Sequence, residues 1–441
     1  MAGSGDFQRD VFDMLWDSQW WSAERLLAYQ RNQLGQLLRY AKANVPFYDG
    51  RLDAVVGRGG EIDWDRWHEI PIVSRRDMID HRDAMHSRAP LPQHGATAVL
   101  ETSGSTSLPI KITSTWLSTI TSNASRWRGH RWSGLDWSRH LAVRLGNTTA
   151  PLEAPFGEKL GESWAPPWTG HRGEVWALNV HLPATQVLDF LTDHDCGYLN
   201  TGAAPAHVFA LEAERLQLRA PHLDAVLAQG ASVGAADRAA CARVFGARMI
   251  EIYSSREGGQ MAHPCEHGRL HISAEACLVE VVDADGLPVG PGKAGRVLVT
   301  PFFSTAQPLI RYEQGDIARL GGPCPCGRAL PTIDAIEGRS SIFFTHPDGR
   351  RATSLLPDRG RTVLDCTFWQ IAQVGPLDFE VRYVPNDWSR RGDEDEFIAI
   401  FRAQYFDDAR VTLRRIAEIP LTPSGKFVEY KLEMPVAPTS P

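Results

Sequence analysis

Glu101-Thr102-Ser103-Gly104-Ser105-Thr106-Ser107-Leu108-Pro109-Ile110-Lys111 is the stretch on which the reading of the chain turns. A short apolar run, Thr97-Ala98-Val99-Leu100, precedes it and reads as a strand. Five hydroxyl residues, one Gly and one Pro then lead to a single Lys. Small hydroxyl residues and Gly let backbone N–H groups point outward together and cradle an anion. A strand, a Ser/Thr/Gly turn and a cation therefore make a phosphate-binding candidate. The Gly-Lys-Ser/Thr ending of the Walker motif is absent. Taken alone, the stretch reads equally well as a polar surface loop.

Bulk properties narrow the field. The chain has 441 residues, 43% hydrophobic and 22% charged, enough for a large core and about two or three domains. A net charge of -7 gives no sign of nucleic acid or an anionic membrane surface as partner. No run approaches the ~18 apolar residues of a membrane span. The start, Met1-Ala2-Gly3-Ser4-Gly5-Asp6, lacks a basic and then apolar leader, so a cytoplasmic location is expected. Many of the 14 Trp fall between 116 and 176, where aromatic side chains can line a small-molecule pocket as well as fill a core.

Along the chain, Leu27, Leu34, Leu38 and Ala41 mark an amphipathic helix over 23–44, stopped at Asn44-Val45-Pro46. Ser74 is placed to cap a short helix. From about 184, helices (184–193, 206–219, 235–245) alternate with strands (224–229, Met249–Tyr253), which predicts a mostly parallel sheet covered by helices. Strand-like runs at 270–282, 295–301 and 308–320 predict an antiparallel, barrel-like subdomain over about 262–336. The expected class is α/β: a large domain over 1–338, then a small α+β domain over 339–441 that includes a strand run Phe397–Phe401.

Four further places carry groups suited to nucleotide chemistry. Tyr253-Ser254-Ser255-Arg256-Glu257 offers a ring to stack on a base and a carboxylate for Mg2+. Gly315-Asp316 offers a carboxylate for ribose hydroxyls, Gly338-Arg339 a cation, and Gly425-Lys426 a Lys for a phosphoryl centre. Each alone is a common turn or surface residue. Their order resembles the adenylate-forming superfamily of acyl-CoA synthetases and adenylation domains. Leu37-Leu38-Arg39-Tyr40-Ala41, Asn44-Val45-Pro46-Phe47-Tyr48 and Ile70-Pro71-Ile72-Val73-Ser74-Arg75-Arg76-Asp77 look like the phenylacetate–CoA ligase branch.

That resemblance implies roles. Thr102, Ser103, Gly104, Ser105 and Thr106 would hold ATP phosphates, with Thr106 counted as catalytic. Gly230, Ala231 and Tyr253 would flank adenine, beside Ser254 and Arg256. Glu257 would bind Mg2+, Asp316 the ribose, and Arg339 would sit at a hinge. Lys426, on a mobile C-terminal domain, would contact the carboxylate and α-phosphate. The implied reaction is attack of a small, aromatic carboxylic acid on ATP, with pyrophosphate leaving, and then transfer to CoA or a carrier-protein thiol. Three departures stand out: Ser107 in place of a Gly, Arg256 where Ser or Thr usually precedes the Glu, and Ser340-Ser341 without the usual hinge Asp. The last motivates an alternative with an amine or other acceptor or an unusual acid; a degenerate nucleotide-binding module is the non-enzymatic alternative. A monomer or homodimer is expected.

Seven Cys is an odd count, and Cys324-Pro325-Cys326 suggests metal or redox chemistry before a disulfide. Together with His263-Pro264-Cys265-Glu266-His267-Gly268-Arg269-Leu270-His271, it predicts a structural Zn2+ site. The expected ligands are Cys265, His271, Cys324 and Cys326, with His263 or His267 as the alternative nitrogen.

Overall fold

Helix–strand alternation builds the first half of one very large sheet, and hairpins extend it. The protein is represented by a computed structural model that describes residues 4–101, 110–145, 156–230, 233–338, 343–353, 356, 359–420 and 427–434. In chain order, helices α1 (Ser4–Ser18), α2 (Ala23–Asn44) and α3 (Arg75–Asp80) precede the hairpin β1 (Thr97–Glu101), β2 (Lys111–Thr115) and helix α4 (Trp116–Trp132). Next come β3 (His140–Leu145), β4 (Phe156–Gly161), β5 (Val175–Asn179), α5 (Ala184–Asp193), β6 (Cys196–Thr201) and α6 (Ala203–Arg215). β7 (Ala225–Gln229), α7 (Ala235–Phe245) and β8 (Arg248–Ser255) complete the alternation. Hairpin strands follow: β9 (Gly259–Pro264), β10 (Leu270–Ile272), β11 (Cys277–Val282), β12 (Ala294–Pro301), β13 (Tyr312–Leu320) and β14 (Thr332–Gly338). The chain ends with β15 (Phe343–Thr345), β16 (Arg351–Thr353), α8 (Arg359–Leu364), β17 (Cys366–Gln373), β18 (Asp378–Pro385), α9 (Glu394–Gln404), β19 (Arg410–Arg415) and β20 (Tyr430–Leu432).

One 12-stranded sheet runs in the order β11-β12-β13-β14-β10-β9-β8-β7-β6-β3-β5-β4. Strands β5, β3, β6, β7 and β8 are mutually parallel; from β8 outward through β9 the pairing is antiparallel. The expected barrel-like subdomain is thus continuous with the parallel sheet. The reason is local: β8 turns straight back into β9, pairing Ser255 with Gly259, so the hydrogen-bonding edge never breaks. Helices α5, α6 and α7 cover one face of the parallel half. On its other face lie α1, α4 and a set of tryptophans that includes Trp127, Trp137 and Trp164. The antiparallel half packs on α2 and the segments behind it.

Residues from 343 onward form their own four-stranded sheet, β19-β18-β17-β20, around a separate aromatic core. Here one expectation fails. Phe397–Phe401 lies within helix α9, not a strand. Asp393 caps it by accepting from Glu396 N–H, three acidic residues occupy the first turn, and Phe397 and Phe401, four apart, both face the core. The run expected at 270–282 is interrupted at Ser273–Ala276, where Glu275 is fully buried against Arg128 of α4 at 2.6 Å and also accepts from Ser18 of α1. The run expected from 308 begins only at Tyr312, because Arg311 before it adopts a left-handed φ of +54°.

Candidate active site

The best-defined polar corner lies where β8 ends. In doubly wound sheets the carboxyl ends of parallel strands are where ligands bind. Tyr253, near the end of β8, is buried and donates its hydroxyl to Asp316 Oδ2 at 2.9 Å. Glu257 sits in the following turn and accepts from the Tyr312 hydroxyl at 3.5 Å. The turn is held by Gly258 N–H donating to Ser255 Oγ at 2.7 Å, and Gly259 supplies the left-handed φ of +67° that starts β9. Glu257 and Asp316 remain half-buried and Arg256 is exposed. Strands β8 and β13 thus bring two Tyr–carboxylate pairs to one place, although Tyr253 and Asp316 are 63 residues apart in sequence.

The N-terminal blocks brace this corner. Tyr48 is fully buried and donates to Pro308 O at 3.0 Å while accepting from Ile310 N–H at 3.0 Å; burial pushes its phenol well above the ordinary value. Arg311 is buried too, ion-paired with Glu280 at 3.3 Å and donating to the carbonyls of His68, Ile70 and Gly286. Val73 bridges to Tyr312, and Ser74 forms a capping box with Asp77 at the start of α3. The strained φ of Arg311 is sustained by these partners, and it aims Tyr312 at Glu257. In the sequence, Tyr48 stands in a quoted motif and Arg311 only within the strand run expected at 308–320, and neither carries an expected bracing role. Only the apolar setting of Tyr48 and an Arg among strand residues hinted at it.

The hairpin β1–β2 pairs Glu101 with Lys111, so the Ser/Thr/Gly stretch forms its connection. Thr115 Oγ1 donates to Phe303 O at 2.8 Å, and Thr113 N–H donates to Gln307 Oε1 at 2.8 Å, tying the hairpin to the loop before β13. Thr102, Ser103, Gly104, Ser105, Thr106 and Ser107 lie outside the described residues, as do Ala231, Arg339, Ser340, Ser341 and Lys426. Gly230, with φ +79°, closes β7, the strand beside β8.

A second cluster lies elsewhere on the antiparallel half. The ligand atoms of Cys265, His271, Cys324 and Cys326 all lie within 4.8 Å of one another. Cys265 Sγ and Cys324 Sγ are 3.6 Å apart, far beyond a disulfide, and Cys326 Sγ is 3.3 Å from His271 Nε2. His271 Nδ1 lies 3.1 Å from Leu330 O, so Nδ1–H donates there and Nε2 is left as a lone-pair donor. His267 contributes its backbone N–H to Cys265 Sγ at 3.4 Å. His263 packs instead against Gly129 of α4, where a Cβ would come within 2.3 Å of its ring.

With this geometry in place, the chain shows the fold of CoA ligases solved with acyl-adenylates, and its sequence is similar to that of a phenylacetate–CoA ligase. The chain is 26% identical over 331 residues to a phenylacetate–coenzyme A ligase of Thermus thermophilus, covering 72% of this chain and 71% of that protein. A 2-hydroxyisobutyryl-CoA ligase, solved in the postadenylation state with 2-HIB-AMP, superposes with a TM-score of 0.70 at 19% identity, covering 94% of this chain and 92% of the other. An anthranilate CoA ligase with anthranoyl-AMP gives 0.52 at 14% identity, covering 74% and 65%. No family profile matches the chain. Among the described residues no helix is long and apolar enough to cross a membrane.

Proposed function

We propose that the protein activates a small carboxylic acid as its acyl-adenylate and passes the acyl group to a thiol, with CoA the favoured acceptor. The observation that carries this reading is the double Tyr–carboxylate corner at the end of β8. Tyr253 and Asp316 are joined as one unit, suited to hold a nucleoside by ring stacking and by acceptance from two hydroxyls. The Glu257 oxygen not engaged by Tyr312 has no partner among the described residues, so this half-buried carboxylate fits a Mg2+ ligand. Bound there, Mg2+ would neutralise charge on the phosphates during displacement. Chemically, a carboxylate oxygen bonds to the α-phosphorus as the bond to the β-phosphate oxygen breaks and pyrophosphate departs. Positioning and positive charge are then the main demands on the protein, and Thr106, Arg339 and Lys426 are proposed to supply the rest. The tryptophan-rich layer packed on the parallel half, with Trp127, Trp137 and Trp164, is what supports an aromatic acid.

The C-terminal unit, with its own core, is proposed as the small domain that carries Lys426 and moves between half-reactions. A non-thiol acceptor is a second reading, supported by the altered hinge sequence Ser340-Ser341. The Cys/His cluster is proposed as a structural Zn2+ site. Tetrahedral bonds of ~2.3 Å imply ligand edges of ~3.8 Å between sulfurs, close to the 3.6 Å of Cys265–Cys324.

Pyrophosphate exchange with ATP across a panel of acids, followed by product analysis with and without CoA, tests the reading. At least one acid should support exchange. Absence of exchange with every acid, together with absence of ATP binding, overturns it.

A further inference from the structure

The small C-terminal sheet has two faces, and its own aromatic core lies on one of them. Along β17, Trp369 and Ile371 belong to that core, together with Phe397 and Phe401 of α9. Alternate residues of a strand point to opposite faces, so Phe368, Gln370 and Ala372 look the other way. They are nonetheless buried, Gln370 and Ala372 almost completely. Part of their cover is the chain after Phe427. Gln370 Nε2 donates to Val428 O at 2.9 Å, and Ile371 N–H donates to Glu429 O at 2.7 Å. The Phe368 ring meets that of Phe427 edge-on at 5.7 Å.

The rest of the cover comes from the large unit. Phe368 lies edge-on to the His207 ring of α6, with centroids 5.2 Å apart. His207 is itself buried, and its Nδ1–H donates to Asp237 Oδ1 of α7 at 2.7 Å. Asp237 Oδ2 accepts from Gly234 N–H at 2.9 Å, at the cap of α7. Both carboxylate oxygens are therefore engaged, and the imidazole is held in one orientation. Helices α6 and α7 begin where β6 and β7 end, at the carboxyl end of the parallel strands. This is the end at which β8 delivers Tyr253 and Glu257. His207 stands one turn into α6, ~6 Å along the axis from its first residue. The contact that joins the two units thus lies at the ligand end of the sheet. The residue before Phe427 in the sequence is Lys426.

We infer that His207, oriented by Asp237, is the seat on which the small domain docks through Phe368, and that this contact sets where the domain presents Lys426. His207 and Phe368 are positioning residues, acting through Lys426 and not on the substrate. The inference rests on the role proposed above for Lys426 in adenylation. A Lys that stabilises charge at the α-phosphate must be placed closely, since a shift of ~1 Å can cost about 100-fold in rate. A single edge contact between rings is also weak enough to be made and released as the domain moves.

The test uses the full chain and an acid that supports pyrophosphate exchange. His207→Ala and Phe368→Ala are made in wild type and in Lys426→Ala, and single-turnover formation of the acyl-adenylate is followed with enzyme in excess. In wild type each should lower the rate about 10- to 100-fold and leave the KM for ATP in exchange within about twofold. The two together should be no worse than either alone, because each removes the same contact. His207→Phe, which keeps a ring for Phe368, should recover part of the rate. In Lys426→Ala the seat variants should cost nothing further. Equal losses in both backgrounds would overturn the proposal, as would wild-type rates in the seat variants while Lys426→Ala is slow. A Lys426→Ala enzyme as fast as wild type would instead overturn the role of Lys426 on which the seat rests. Melting curves like that of wild type identify folded variants. Phe368 lies outside the small domain's aromatic core, so Phe368→Ala carries the test if His207→Ala does not fold.

Discussion

The corner at the end of β8 and the Cys/His cluster on the antiparallel half are both assembled from distant pieces of chain, yet they are built to opposite plans. At the corner, Glu257 and Asp316 stay half-buried, each with one hydroxyl donor drawn from the opposing strand. In the cluster, Cys265, His271 and Cys324 are buried, and a backbone carbonyl and a backbone N–H already orient the donor atoms. If the proposed roles hold, the half-buried carboxylates suit a site that exchanges ligands, and the buried cluster suits one that retains a metal.

That contrast can be broken by experiment. Glu257→Gln should lower pyrophosphate exchange by about 100- to 1,000-fold while leaving the melting temperature near that of wild type; a large loss of stability instead would show that the corner is structural. Cys324→Ser should do the opposite, removing zinc from the purified protein by elemental analysis and costing more than about 3 kcal/mol of stability. Zinc-free wild type with an unchanged urea midpoint would end the closed-site reading. Tyr253→Phe should be milder, weakening ATP binding about 10-fold by loss of one charge-assisted hydrogen bond, as titration with ATP would show.

The smallest effect belongs to a cluster at the surface, in which a buried His346 meets exposed carboxylates. His346 is held between Asp348 at 2.7 Å and Asp408 at 3.2 Å, with Arg350 beside it. Its two carboxylate partners raise the imidazole above its ordinary value, with Asp408 the larger influence. The folded state therefore gains from the proton below pH ~6.5, and that gain is lost as pH rises through the raised value. Amide exchange in β15 and β16 should quicken slightly on going from pH 6 to pH 8 beyond the intrinsic change, and His346→Asn should abolish the difference.

Much of the frame could be read from residues alone. Periodicity gave α2, α5 and α7 because each buries one clear face, as Leu34, Leu38 and Ala41 do on α2, and β8 was legible as a short apolar run buried on both faces. Helix α4 was illegible for the opposite reason: its Trp, Arg, His and Ser side chains serve three different surroundings, so no single apolar stripe exists. Phe397–Phe401 misled because five apolar residues in a row fit either period, and only Asp393 as a cap decides between them. At the site, Tyr253, Glu257 and Asp316 were nameable from motif order. The pairing of Glu257 with Tyr312 was not, because it depends on Arg311 turning the chain in a way that no local propensity favours.

Tyr48 adds a kinetic dimension to the corner. Its hydroxyl fastens Pro308 from 260 positions away, and Arg311 reaches back 241 positions to Ile70. Contacts of such separation close late, after locally connected units have formed. The parallel half of the sheet can thus assemble while this corner is still unshaped, and the docking of the segment from Tyr48 to Val73 onto β13 and the loop before it is expected to be a late step. Newly made chains are expected to pass through a stage in which the parallel half is folded and this corner is not, whose duration is set by the N-terminal segment rather than by Glu257 or Asp316.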